Sequence, residues 1–312
     1  MSLQTKEPLS EAWNRGGSVE TWSRIIRTRD ALPAPFDRAA GWLIDEEPAL
    51  PYIVYAPRLI GTRRRTAERL VALAGETLYI WERAGRQVSM TAYSLSNISA
   101  VEVGDILLYS WLMIMGLTSE GVASATTVEF NTVSLSCFQP FISRLRPAAA
   151  VEPASNWAGE RDKFNYLEPV SYKFMNFARA SLLPGETVID HLWQPRIQRP
   201  VLTVLGHSFS RPVSGAHITI LTDKEVILIG EDERTAEPTG GRYGSVRRYV
   251  SLERIAGLSV AARGENLVAL VFQLAPDERQ IEKLYEVSVV DGVEQFRAAV
   301  ESRLRRQLVE KP

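Results

Sequence analysis

The segment nearest to a nucleophile motif is Gly206-His207-Ser208-Phe209-Ser210, directly after the apolar run Val201–Leu205. It approximates the Gly-x-Ser-x-Gly elbow of α/β-hydrolases, where a strained strand-to-helix turn exposes the serine. Ser208 would then be the nucleophile of a serine hydrolase-like enzyme. Three features count against this chemistry. Ser210 puts a side chain where the tight turn wants none. Only His217 follows, with no acid between it and the serine. The long alternation of strands and helices that carries such elbows is missing. A loop or hairpin tip fits all three.

The glycines of Gly240-Gly241-Arg242-Tyr243-Gly244 suggest a phosphate cradle, which requires a strand before and a helix start after. Here an acidic stretch, Glu231–Glu237, precedes and a strand pattern follows, so a long hairpin loop is expected. The chain has three histidines (His191, His207 and His217) and one cysteine, Cys137. One cysteine excludes an intramolecular disulfide and a thiolate metal cage. His191 falls in a strand pattern and is expected to satisfy a local hydrogen bond. No catalytic residue, cofactor or metal ligand is therefore expected.

Charge offers more. Arg58, Arg63, Arg64, Arg65 and Arg69 lie within twelve residues, interrupted by one acid, Glu68. Such a cluster can meet an anionic surface, each basic side chain contributing about 1 kcal/mol near an anionic membrane. It can equally be a solvated loop whose arginines pair with nearby acids. Arg242, Arg247 and Arg248 form a smaller version in the second half. Val201, Leu202, Val204, Leu205 and Phe209 are apolar at a connecting position and must bury somewhere. They are candidates for a partner contact, whether an extra strand, the other domain, a second subunit or a membrane.

The 312 residues carry 36 basic and 37 acidic side chains, a net charge of −1. That balance argues against a dedicated nucleic-acid binder, whose affinity leans on clustered positive charge. An apolar content of 45% supplies a sizeable core. The start of the chain has no apolar segment of the signal-peptide kind. The most apolar run, Ile106–Leu117, is shorter than the ~20 residues a spanning helix needs and reads as a strand buried on both faces. A cytoplasmic protein is expected, with peripheral membrane contact as an extension.

The chain also repeats itself. Tyr52–Arg58 (YIVYAPR) matches Val188–Arg196 (VIDHLWQPR); Leu70–Glu82 matches Ile218–Glu231; Tyr93–Val103 (YSLSNISAVEV) matches Val250–Val260 (VSLERIAGLSV). Ser143–Arg146 and Ser302–Arg305 both read Ser-Arg-Leu-Arg. Each half decodes into seven short strands rich in Val, Ile, Thr and aromatics. They are predicted near 51–57, 68–74, 77–82, 88–95, 99–104, 107–115 and 125–133, then near 187–194, 215–222, 225–230, 246–252, 256–262, 267–273 and 283–290.

A helix closes each half. Phe138, Phe141, Ile142 and Leu145 form one apolar stripe, with Pro140 in or near the first turn. Val293, Phe296, Val300, Leu304 and Leu308 form the other, with Asp291 as its cap. Helices are also expected over Glu168–Leu183 and Val19–Asp30, an Ala/Pro-rich linker over Pro147–Arg161, and loose order over residues 1–16.

Seven strands and a closing helix, twice, resembles the pleckstrin-homology-like superfold, including its bacterial and GRAM-like members. Leu-Leu-Pro-Gly-Glu at 182–186 looks like the entry common in bacterial members, and Ser-Leu-x-x-Ile like the strand that turns into the second sheet. The resemblance implies a mainly β (α+β) chain of two barrels, each of seven antiparallel strands with a capping C-terminal helix. The implied layout is an extension (1–44), a first domain (45–147), a linker and helix (148–181) and a second domain (182–312). It also implies binding without catalysis, to lipid headgroups, peptides or proteins, and in lipid-binding members the hairpin that carries the basic residues corresponds to Arg58–Arg69. The expectation is a binding or scaffolding module with a protein partner or a second copy of itself, or an anionic membrane.

Overall fold

The computed structural model describes residues 22–46, 52–59, 66–146, 157–204, 207–231 and 244–310. The described chain is mainly β, in four antiparallel sheets with supporting helices. The first sheet runs in chain order: β1 (Arg24–Ile26), β2 (Tyr52–Ala56), β3 (Glu68–Ala74), β4 (Thr77–Ala84) and β5 (Gln87–Ser94). After a 3-10 turn at Leu95–Asn97 come β6 (Ile98–Ile106), β7 (Tyr109–Leu117) and β8 (Ala123–Asn131). A second 3-10 turn at Thr132–Ser134 leads into a helix at Leu135–Leu145. This is α2, since α1 (Ala34–Glu46) precedes β2.

The second half repeats the order. Helices α3 (Trp157–Asp162) and α4 (Glu168–Ser181) precede β9 (Val188–Gln194). An inserted hairpin, β10 (Ile197–Val204) and β11 (His207–Ser214), leads to β12 (His217–Thr222), β13 (Glu225–Gly230) and β14 (Gly244–Ser251). A 3-10 turn at Leu252–Arg254 opens β15 (Ile255–Ala262), β16 (Leu267–Leu274) and β17 (Gln280–Glu286), then a turn at Val287–Val289 and helix α5 (Val290–Glu310). Even an irregularity repeats. The ladder slips by one residue just after Ile98 in β6 and just after Ile255 in β15, the matched isoleucines of the Ser-Leu-x-x-Ile frame. In the second copy Leu252 and Ile255 are buried, so the frame drives two apolar anchors inward around a tight turn.

The halves do not build separate sheets. β6 pairs with β14, placing Tyr249 opposite Val101 and Gly244 opposite Ile106, and the result is one seven-stranded sheet ordered β8-β7-β6-β14-β13-β12-β9. Partners directly opposite share a face, so the two faces exchange roles across the junction. Val101 and Val103 face the first half's core; that face continues through Tyr249 to Ile218, Ile220, Ile227 and Ile229, which α4 covers with Phe174, Met175 and Ala178. The opposite face joins Ala100 and Met115 to Leu228, Val250 and Phe272 in the second half's core. The sheets stay open; the hydrogen-bonded orders close no barrel among the described residues.

Helix α1 covers the outer face of the first sheet as α4 covers its counterpart: Phe36, Ala40 and Leu43, spaced for one helical face, pack with Ile53, Tyr55, Leu70 and Trp81. The closing helices bury the expected stripes, Phe138, Phe141 and Ile142 in α2 and Val293, Phe296 and Val300 in α5. The side chain of Leu308 lies outside the described set. The apolar run Ile106–Leu117 supplies β7, an interior strand with Trp111, Leu112 and Ile114 buried. Its Leu107 and Leu108 instead form the exposed tip of the β6–β7 turn, 71% and 67% accessible.

Three expectations are corrected. The described part of the expected Val19–Asp30 helix, residues 22–30, is not helical: the β-branched pair Ile25 and Ile26 joins the free edge of β2 opposite Val54 and Ile53, and only a 3-10 turn follows. Pro140 lies in the middle of α2 rather than its first turn, and its missing N–H leaves the Ser136 carbonyl without that helical donor. Asp291 sits inside the first turn of α5 rather than capping it. Residues 1–16, the linker core 147–156 and Gly240–Tyr243 lie outside the described residues. No described helix is long and apolar enough to cross a membrane.

Candidate functional site

In both halves the connection after the first repeated strand carries the candidate side chains. In the first half it joins β2 to β3. Its base is pinned by the backbone N–H of Leu59, which donates to Thr66 Oγ1 at 2.7 Å. Arg58 stands exposed there, at a cleft of about 640 Å³ bordered by Thr66, Ala67, Arg83 and Gly85. Arg69 is turned to the sheet instead: in β3 it pairs with Glu82 at 2.7 Å and Glu129 at 3.5 Å, and only 12% of its side chain is accessible. Arg63, Arg64 and Arg65 lie outside the described residues.

The matching connection in the second half is the hairpin β10–β11. Val201, Leu202 and Val204 extend along β10, and Phe209 sits in β11 opposite Leu202. Their side chains are outside the described set, as is Leu205 altogether. The apolar run is therefore an added pair of strands, one of the forms its composition allowed. Before the tip, Arg199 and Arg211 stand directly opposite each other, both exposed and without an ion-pair partner among the described residues. Like charges opposed in this way are unfavourable unless an anion lies between or near them. Arg196, at the hairpin's base, is neutralised by Glu231, Nε to Oε2 at 3.0 Å.

The same hairpin bears on the elbow motif. Ser208 pairs with Thr203 inside an extended strand, whereas an elbow needs the serine on a tight turn entering a helix. His217 is sealed in the second half's core, edge-on to Tyr285. Its Nδ1 faces the Gly215 carbonyl at 3.1 Å, so Nδ1 carries the proton, and burial then pulls its pKa down to about 3. His191 packs against Phe164 and Tyr166, and burial lowers its pKa as well. No cluster of His, Cys, Asp and Glu with metal-site geometry occurs among the described residues.

Arg247 and Arg248 of the smaller cluster lie in the seam between the halves, while Arg242 is outside the described residues. Arg247 pairs with Asp105 at 2.8 Å, and Arg248 donates through Nε to Glu102 at 3.2 Å. Glu102 also accepts the indole N–H of Trp111 at 2.9 Å. That ring lies over Gly104, where an added Cβ would come within 1.9 Å of it. The deepest contact is Arg146 at the end of α2, whose Nε donates to Glu225 at 3.0 Å while Nη2 reaches the Ser181 carbonyl at 2.7 Å. The guanidinium also lies 3.9 Å from the centre of the Tyr249 ring and 3.7 Å from Glu186.

Both carboxyl groups are fully buried. Burial, and then the neighbouring Glu225, push the Glu186 carboxyl up to about 8. One guanidinium thus lies against two buried carboxyl groups. Glu186 is the last residue of the Leu-Leu-Pro-Gly-Glu entry, and it also accepts the Leu183 N–H at 2.6 Å, closing that turn on itself.

Sequence reasoning flagged Arg146 only as a repeated tetrapeptide and Glu186 only as an entry motif. Neither pattern says that the two residues meet. No protein-family model matches the chain, and no curated protein matches it in sequence.

Proposed function

We propose that the protein is a non-enzymatic binding and scaffolding module of two pleckstrin-homology-like units, docking on an anionic lipid surface through the first long connection of each unit. The observation that carries the reading is the pair of facing arginines Arg199 and Arg211, without an ion-pair partner among the described residues, on a hairpin whose sequence continues towards its tip with Val201, Leu202 and Val204 and returns with Phe209. A basic collar under an apolar tip suits a membrane interface. The collar meets headgroup phosphates, and the tip gains free energy as its apolar area leaves water. Arg58 and the Arg63–Arg65 run occupy the corresponding connection of the first unit. The repeated element order and the shared ladder slip support the two-unit reading, and the common sheet would hold both connections on one rigid body.

The test is co-sedimentation with vesicles of phosphatidylcholine alone and with added phosphatidylserine. Wild type should pellet only with the anionic vesicles, and less as salt rises and shortens the screening length to about 8 Å at physiological strength. Arg199→Ala/Arg211→Ala should weaken binding, and adding Arg58→Ala and Arg63→Ala/Arg64→Ala/Arg65→Ala should abolish it. No wild-type binding at low salt, or binding indifferent to all six changes, overturns the lipid reading.

A further inference from the structure

The internal β6–β14 junction has a matching half on each outer side of the molecule. In repeat correspondence β5 (Gln87–Ser94) is the counterpart of β14 (Gly244–Ser251), and β15 (Ile255–Ala262) is the counterpart of β6. Inside the chain, β6 of the first half is hydrogen-bonded to β14 of the second. The equivalent free halves, β15 of the second unit and β5 of the first, are both terminal strands of their sheets among the described residues.

Their composition is that of interior strands. β5 reads QVSMTAYS and β15 reads IAGLSVAA, eight residues each without one charged side chain or proline. Every other sheet edge among the described strands carries charge: Arg24 in β1, Glu129 in β8, Asp190 in β9, Arg199 in β10, Arg211 in β11, and Glu282, Lys283 and Glu286 in β17. Charged residues, proline and bulges are the usual means of keeping an edge from pairing. These two edges use no charge and no proline. Burial agrees. Val101 and Val103 of β6 are 1% and 2% exposed beneath the added strand, whereas their counterparts Leu258 and Val260 in β15 are only partly buried.

We propose that a second copy of this chain seats its β5 antiparallel on β15, repeating the internal junction between molecules. The register follows from the internal one. Gly244 opposite Ile106 becomes Gln87 opposite Arg263, and Arg248 opposite Glu102 becomes Thr91 opposite Ser259. Pairing stops there because the Ala92 carbonyl already accepts the Ser119 N–H at 2.8 Å. Helix α1 of the incoming copy covers its sheet as α4 covers the internal one, so the junction arrives complete. The contact joins two different surfaces of the chain, and such heterologous contacts propagate into open filaments or close into rings.

Sedimentation velocity and negative-stain microscopy over the accessible concentration range test this on the full chain without lipid. Wild type should form species larger than a dimer that grow with concentration. Ser259→Lys, at an exposed position, should leave a folded monomer. Thr91→Arg/Ser259→Glu, which copies the internal Arg248–Glu102 pair, should associate at least as strongly as wild type. Three results overturn the proposal: a wild type monomeric throughout, a Ser259→Lys chain that still assembles, or a complex that stops at two copies and ignores substitution of Thr91. Vesicle binding by such a monomer would leave the lipid reading standing.

Discussion

The seam and the two long connections use arginine in opposite ways. Arg146, Arg247 and Arg248 each meet a carboxylate from the other half, with between 4% and 26% of the side chain accessible. Arg58, Arg199 and Arg211 are exposed and have no ion-pair partner among the described residues. A paired, desolvated guanidinium is expensive to lose because its removal strands a buried charge. An exposed one contributes little to stability and is free to meet an external anion. Position relative to the shared sheet, rather than residue type, separates the two roles.

The sharpest way to break that contrast is Arg146→Met. It leaves Glu225 buried without its cation and should destabilise the protein by about 3–5 kcal/mol, measured by urea unfolding. Arg146→Met/Glu225→Met, which removes both charges, should recover much of the loss. A single variant as stable as wild type would mean that the seam does not hold the halves together.

Within the seam, Gly104→Ala should cost about 1–3 kcal/mol, because its Cβ must displace the Trp111 ring from Glu102. Tryptophan fluorescence should report the move. Thermal scans showing wild-type stability and an unchanged emission maximum would remove Trp111 from the account.

Acidity probes the seam and the second core separately. The Glu186 carboxyl is raised in the folded state, so its contribution is fully present below the unfolded value and is lost as pH rises through about 8. Glu186→Gln should therefore flatten the decline in stability between roughly pH 5 and 8. His217 has the opposite sign. Its folded pKa is depressed to about 3, so the unfolded chain takes up the proton first and stability falls as pH drops below about 6.5. His217→Asn should remove that acid limb, whose slope is at most about 1.4 kcal/mol per pH unit. Melting temperatures from pH 4 to 9 for the two variants decide both points.

The smallest expected effect is on the stability of the loop arginines. Arg58→Ala and Arg199→Ala/Arg211→Ala should stay within about 0.5 kcal/mol of wild type while weakening vesicle binding. A large stability loss would move these arginines into the structural class with Arg146.

Much of the architecture was legible in the chain. Short runs rich in Val, Ile, Thr and aromatics gave fourteen strands close to their observed bounds, because such side chains suit a pleated, buried surface, and the stripes of α2 and α5 followed from helical periodicity. The Ser-Leu-x-x-Ile frame marked both turns into the second sheet, since it is a local device of two apolar anchors around a 3-10 turn, both buried in the second copy and Ile98 buried with Leu95 partly so in the first. Pro140 and Asp291 were misplaced along their own helices, and the misses in the sheets were of one kind. Ile25 and Ile26 formed a strand because β2 offered an edge, and Arg69 became a structural ion pair because Glu82 and Glu129 lie beside it in the sheet.

By itself, then, the sequence determined which of the repeated segments extend, which coil, and that they do so twice. Those choices depend on residues a few positions apart. Which edge joins which, and hence which arginines are neutralised and which face outward, was decided only by tertiary structure. The carboxylates that meet Arg247 and Arg248, Asp105 and Glu102, lie in the other half of the chain, and no local pattern carries the register of β6 on β14.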